Sequence, residues 1–100
     1  MNVNRVELAG RVLEHGGLRR TPAGLARLEL RIRHESSQCE AGRERPVACE
    51  AEVLCFGEVA ERLARVAPGS SLGLIGFLDR RGARDPRPIL HVTEFELIQE

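Results

Sequence analysis

The segment Leu78 to Pro88, "LDRRGARDPRP", places Arg80, Arg81, Arg84 and Arg87 within eight positions. A second pair, Arg19 and Arg20, stands in the turn-like stretch "HGGLRRTPAG". Guanidinium groups suit anionic oxygens: each is a planar fork of donors that stays charged and can also stack on a flat ring. The chain as a whole is neutral, with 15 basic residues, every one of them arginine, and 15 acidic ones, so the clusters are local features. Clustered arginines of this kind fit phosphate contacts, or the acidic surface of a protein partner.

The other reactive residue types form no recognisable constellation. His15, His34 and His91 are scattered, with no metal-ligand spacing around them. Cys39, Cys49 and Cys55 match no zinc-ribbon or redox pattern, and Cys49 and Cys55 share strand parity, so they read as small buried hydrophobes. No phosphate-cradling GxxxxGK[ST] loop occurs, and Ser36, Ser37, Ser70 and Ser71 lack the GxSxG setting of a nucleophile elbow. The expectation is a binding protein without cofactor, metal or catalysis.

Charge comes in blocks. Residues 1–34 carry a net +4, residues 35–61 a net −5, residues 62–87 a net +4 and residues 88–100 a net −3. The N-terminus shows no basic-then-apolar signal, and no apolar run approaches a bilayer's thickness, so the expected compartment is the cytoplasm, without a membrane partner.

Five segments read as strands, the first three of them by alternation. "NRVELAGRV" sets Val6, Leu8, Gly10 and Val12 on one parity, and Leu28, Leu30 and Ile32 alternate with Arg27, Glu29, Arg31 and Arg33. Val47, Cys49, Ala51, Val53 and Cys55 share a face, with Glu50 and Glu52 opposite. The period then changes: Val59, Leu63 and Val66 predict a short amphipathic helix ended by Pro68-Gly69. "SLGLIGFLD", with Gly73 and Gly76 marking a bulge or close approach, and "ILHVTEFELI" complete the set. "SSQCEAGRER" and "LDRRGARDPRP" read as loops.

A short helix between the third and fourth of five strands is the order of an all-β, five-stranded OB-fold Greek-key barrel, here expected as one domain over residues 1–100. In that fold the loops joining strands 1–2 and 4–5 flank the oligonucleotide face. Both arginine clusters fall on those loops and would border one groove. Single-strand binding also uses aromatic platforms. With no Trp, no Tyr and only Phe56, Phe77 and Phe95, all on or beside apolar strands, the rings are expected in the core. Phosphate contact should then dominate, and affinity should be modest and strongly salt-dependent.

The residues resemble the primosomal replication protein N (PriB) family, relatives of bacterial single-stranded-DNA-binding protein. The resemblance rests on "NRVELAGRV", on "TPAGLARLELRIRHESSQ" with Pro22, Gly24, His34, Ser36 and Gln38 in register, on "EAG", on "PGSSLGLIGFL" and on "LHVTEFELI". It implies a homodimeric OB-fold accessory protein of replication restart. Such a protein binds single-stranded DNA, stabilises the primosomal helicase (PriA) on it and helps recruit DnaT. The family's basic positions carry over to Arg80, Arg81, Arg84 and Arg87, to Arg19 with Arg20 beside it, and to Arg45. Where family members hold an aromatic before the third strand, a Trp early in it and a cation after the shared histidine, this chain has Arg43, Ala48 and Glu35. Two roles therefore stand side by side: a DNA-binding module, and a dimeric adaptor that docks the helicase with little DNA binding of its own.

Overall fold

Alternating apolar residues build the strands, and the computed structural model, which describes residues 1–98, arranges them as β1 (Val6–His15), β2 (Arg19–Arg20), β3 (Ala26–Glu40), β4 (Arg43–Phe56), α1 (Gly57–Leu63), β5 (Ser71–Gly82) and β6 (Asp85–Leu97). Gln99 and Glu100, the end of the expected domain, lie outside the described residues. The strands hydrogen-bond in the order β1-β5-β6-β4-β3, and β1 returns to β3 to close a five-stranded OB-fold barrel, with β2 as a short addition on β3. All pairings are antiparallel except β4 with β6, which meet only at Val53–Leu90 and Leu54–His91.

β1 closes the barrel by changing partner midway. Arg11 pairs with Ser71 of β5 on one side and Arg33 of β3 on the other. Gly10 permits this corner, because a Cβ there would stand 2.8 Å from Ile32 Cδ1 and 3.1 Å from the Arg33 carbonyl oxygen.

Inside, Leu28, Ile32, Val53, Cys55, Leu72 and Leu74 from three strands pack with Ala60 and Leu63 of α1. Each fully buried aliphatic side chain contributes about 1.5–3 kcal/mol by leaving water. The helix is shorter than its apolar spacing suggested. It ends at Leu63, points Ala60 and Leu63 inward, and hands over to a turn in which Gly69, at φ 91°, donates its N–H to the Val12 carbonyl at 2.8 Å.

Both segments read as loops are instead hairpin arms. β3 and β4 stay paired out to Glu40–Arg43 around Ala41-Gly42, whose φ values of 53° and 79° fit the tight turn that follows a twisted ribbon. β5 and β6 stay paired out to Gly82–Asp85, which leaves only Ala83 and Arg84 in the turn.

The cysteine expectation is corrected in part. Cys55 is buried, its thiol facing the Leu28 carbonyl, and burial pushes its pKa up to about 12. Cys49 shares its parity but sits where β4 has run past the barrel, and it is exposed, as is Cys39. A colorimetric thiol reagent at neutral pH should therefore titrate Cys39 and Cys49 rapidly and Cys55 only after denaturation. Rapid reaction of all three would contradict this packing.

Candidate nucleic-acid interface

The outer face of the sheet carries a transverse row of side chains that parity alone assembles. Arg19 pairs with Arg27, Arg27 with Phe56, and Phe77 with His91, while His91 faces Leu54, two residues before Phe56 on the same face. The row Arg19–Arg27–Phe56–His91–Phe77 thus crosses all of β2, β3, β4, β6 and β5. Its three rings are stacked: Phe77 and His91 have centroids 4.9 Å apart at 13°, and His91 and Phe56 are 6.1 Å apart at 25°. Phe56 and Phe77 remain 36% and 37% exposed. Leu54 and Ile89, buried yet outside the barrel's core cluster, form an apolar floor beside the rings.

The expectation that all three phenylalanines sit in the core is thereby corrected. Only Phe95 packs against it, under the Arg62 guanidinium at 4.7 Å. The signal was present: Val53 and Cys55 face inward, so Phe56 must face outward, and Leu72 and Leu74 set Phe77 outward in the same way.

The seven arginines separate into two groups. Arg19, Arg80 and Arg84 have no acidic partner among the described residues. The other four are engaged. Arg20 turns to Glu61 of α1 at 3.3 Å, Arg45 holds Glu40 at 2.6 Å, and Arg87 grips Asp85 through two hydrogen bonds of 2.9 and 2.7 Å. Arg81 reaches from the β5–β6 arm to Glu29 at 2.8 Å and to Glu52. The hydrogen bonds from Arg87, side chain first and then backbone, hold the Asp85 carboxyl down at about 2. Six of the seven lie within strands rather than loops, Arg19 and Arg20 on β2 paired with β3 and the other four on β4, β5 and β6, and only Arg84 occupies the arm's turn.

The acidic block supplies three of these partners, Glu40, Glu52 and Glu61. Arg31 stands opposite Glu52 and bonds Glu14 at 2.7 Å and Glu50 at 3.5 Å, and Arg33 bonds Glu35 at 2.8 Å, which lowers the Glu35 pKa. The arginine-bearing first half of β3 lies beside Glu50 and Glu52 of β4, so charges segregated in sequence meet in space. Solvent-exposed pairs of this kind are individually weak, so a phosphate can displace a carboxylate.

His34, Ser36 and Gln38 form a structural chain along one face of β3. His34 Nδ1 lies 2.6 Å from the Ala9 carbonyl and its Nε2 lies 2.7 Å from Ser36 Oγ, which also accepts from Gln38 Nε2 at 3.1 Å. With Nδ1–H donating to Ala9 and the Ser36 hydroxyl donating to Nε2, both ring nitrogens are satisfied and β3 is pinned to β1. Among the described residues no three His, Cys, Asp or Glu side chains converge as a metal site, and no helix is long and apolar enough to cross a membrane.

Residues 4–94 match a family described as "Another single-strand binding protein family". The chain is 33% identical over 98 residues to replication restart protein PriB of Nitrosomonas europaea, spanning 98% of this chain and 91% of that protein. It is 43% identical over 76 residues to replication restart protein PriB of Bordetella pertussis, spanning 76% and 71%. The structure of PriB from Ralstonia solanacearum superposes with a TM-score of 0.89 at 30% identity, covering 97% of this chain and 99% of that one. The chain belongs to the single-strand-binding protein family, among its replication restart PriB proteins.

Proposed function

We propose that this chain is a primosome accessory protein that binds single-stranded DNA across the outer face of β3, β4, β6 and β5 and stabilises the primosomal helicase (PriA) on that DNA during replication restart. It acts in the cytoplasm as a homodimer of single OB domains, helps recruit DnaT and catalyses nothing. The observation that carries the DNA reading is the row of two arginines and three stacked rings across the sheet. Rings accept bases of any identity on their π-faces, and cations beside them hold the backbone, so sequence preference is absent. Arg19, Arg27, Arg80 and Arg84 meet phosphates directly, whereas Arg20, Arg45, Arg81 and Arg87 must first exchange a carboxylate for one. Affinity is accordingly modest and falls steeply with salt.

That internal pairing also favours the second reading, an adaptor whose arginine arm docks an acidic patch of the helicase. Anisotropy of a labelled oligo(dT) titrated at several salt concentrations separates the two. Replacing Arg80 and Arg84 by alanine is expected to flatten the log-affinity against log-salt slope by roughly 0.7 for each phosphate no longer held. An unchanged slope removes the arm from the DNA site. Reduced helicase binding with that unchanged slope assigns it to the adaptor role.

A further inference from the structure

Among the seven arginines, Arg81 is held differently from the rest. Arg20 also reaches off its own strand pair, to Glu61, but Arg81 alone engages two carboxylates at once: Glu29 of β3, opposite Leu54 on the outer face, and Glu52 of β4. Its side chain is 25% exposed, against 57%, 58% and 76% for Arg20, Arg45 and Arg87. Glu29 is half-buried and Glu52 exposed, and together with Glu14, His15, Arg31 and Arg81 they line an open depression of roughly 380 Å³. Glu29 lies one alternation step, about 7 Å along β3, from Arg27 of the ring row, and Glu52 lies two steps, about 13 Å along β4, from Phe56. A nucleic acid whose bases lie on the rings would carry its phosphates along that flank.

We infer that Glu29 and Glu52 act as internal stand-ins for phosphate, holding Arg81 and thereby setting how tightly this face binds single-stranded DNA. The inference rests on the reading of this face as the DNA site. A guanidinium fork accepts carboxylate and phosphate oxygens in the same geometry, so the two compete for the same donors. Two carboxylates around one cation also leave the trio net negative, which repels an incoming phosphate until Arg81 changes partner. The same contacts tie the β5–β6 arm down over β3 and β4, so DNA that takes Arg81 also releases the arm.

Glu29→Gln combined with Glu52→Gln removes both competitors and keeps their size. Oligo(dT) affinity is expected to rise roughly fivefold or more, and the salt slope to steepen by about 0.7 as one arginine becomes available. Adding Arg81→Ala should abolish both changes. Glu94→Gln with Glu96→Gln, at the far end of β6, makes the same change in net charge and should give a much smaller gain. The single variant Glu52→Gln, at the more exposed of the two carboxylates, provides the same readout in smaller measure if the pair lowers the melting temperature. A folded variant that binds no tighter than the Glu94/Glu96 control, or a gain that survives Arg81→Ala, overturns the inference alone. Absence of binding by both wild type and variant at low salt overturns the DNA reading along with it.

Discussion

Alanine at both Phe56 and Phe77 is expected to weaken oligo(dT) binding by roughly 30-fold or more, with the salt slope unchanged. A base stacked on an aromatic side chain contributes about 1–3 kcal/mol by alanine substitution, and tenfold in affinity corresponds to about 1.4 kcal/mol. The two platforms share His91 as a common neighbour, so their effects should fall short of simple addition, and about 2 kcal/mol in total is the lower end of the expectation. The slope should hold because no cation is removed, in contrast to the arginine-arm variant, which alters slope first. The fold should also persist, since both rings are more than a third exposed and neither belongs to the buried core. Anisotropy across a salt series, with a thermal melt of each variant, measures all three properties. Wild-type affinity in a folded double variant would remove the ring row from the DNA site and leave phosphate contact to carry binding alone.

The barrel was legible because alternation reports burial. Leu28, Leu30 and Ile32 face the core in β3 as the period of two requires, and the change of period after Phe56 marks α1 between the third and fourth barrel strands. The arms were illegible for the same reason. Residues 37–46 are fully outside the barrel, so neither face is buried and no pattern of apolar residues announces a strand. Backbone ladder bonds hold them, and those are indifferent to side-chain type. Phe56 and Phe77 were readable in principle from the parity of Cys55 and Leu74, yet aromatic residues beside apolar runs look like core until parity is followed to the strand's end. The fate of the arginines was out of reach. Arg81 and Glu29 lie 52 residues apart in sequence, and only the register of the two hairpins brings them together. Clusters counted as free cations from sequence therefore include four that the acidic residues already occupy.

Alanine at Gly76 should cost about 3 kcal/mol or more, a large part of the roughly 5–15 kcal/mol that holds a domain of this size together. Gly76 sits at the irregularity where β5 pairs with Val92 of β6 and, on its other side, with Val6 of β1. A Cβ there would run into the His91 carbonyl oxygen, with the His91 carbonyl carbon at 2.7 Å and Val92 Cα at 3.0 Å. Every obstructing atom is backbone, so relief requires β5 and β6 to separate rather than a side chain to rotate. Gly73 makes the matched control: its nearest neighbours are Glu96 side-chain atoms at 3.4 and 3.5 Å, which can swing into solvent, so alanine there should change stability by no more than about 0.5–1 kcal/mol. Urea denaturation of both variants tests the difference, and equal midpoints would disprove the close approach at Gly76. The same geometry links stability to binding. Gly76 precedes Phe77 and presses on His91, so the close crossing that only glycine allows is also what sets two of the three rings against each other. Any Gly76→Ala molecules that do fold should lose oligo(dT) affinity in the manner of the Phe56/Phe77 double variant, with the salt slope intact.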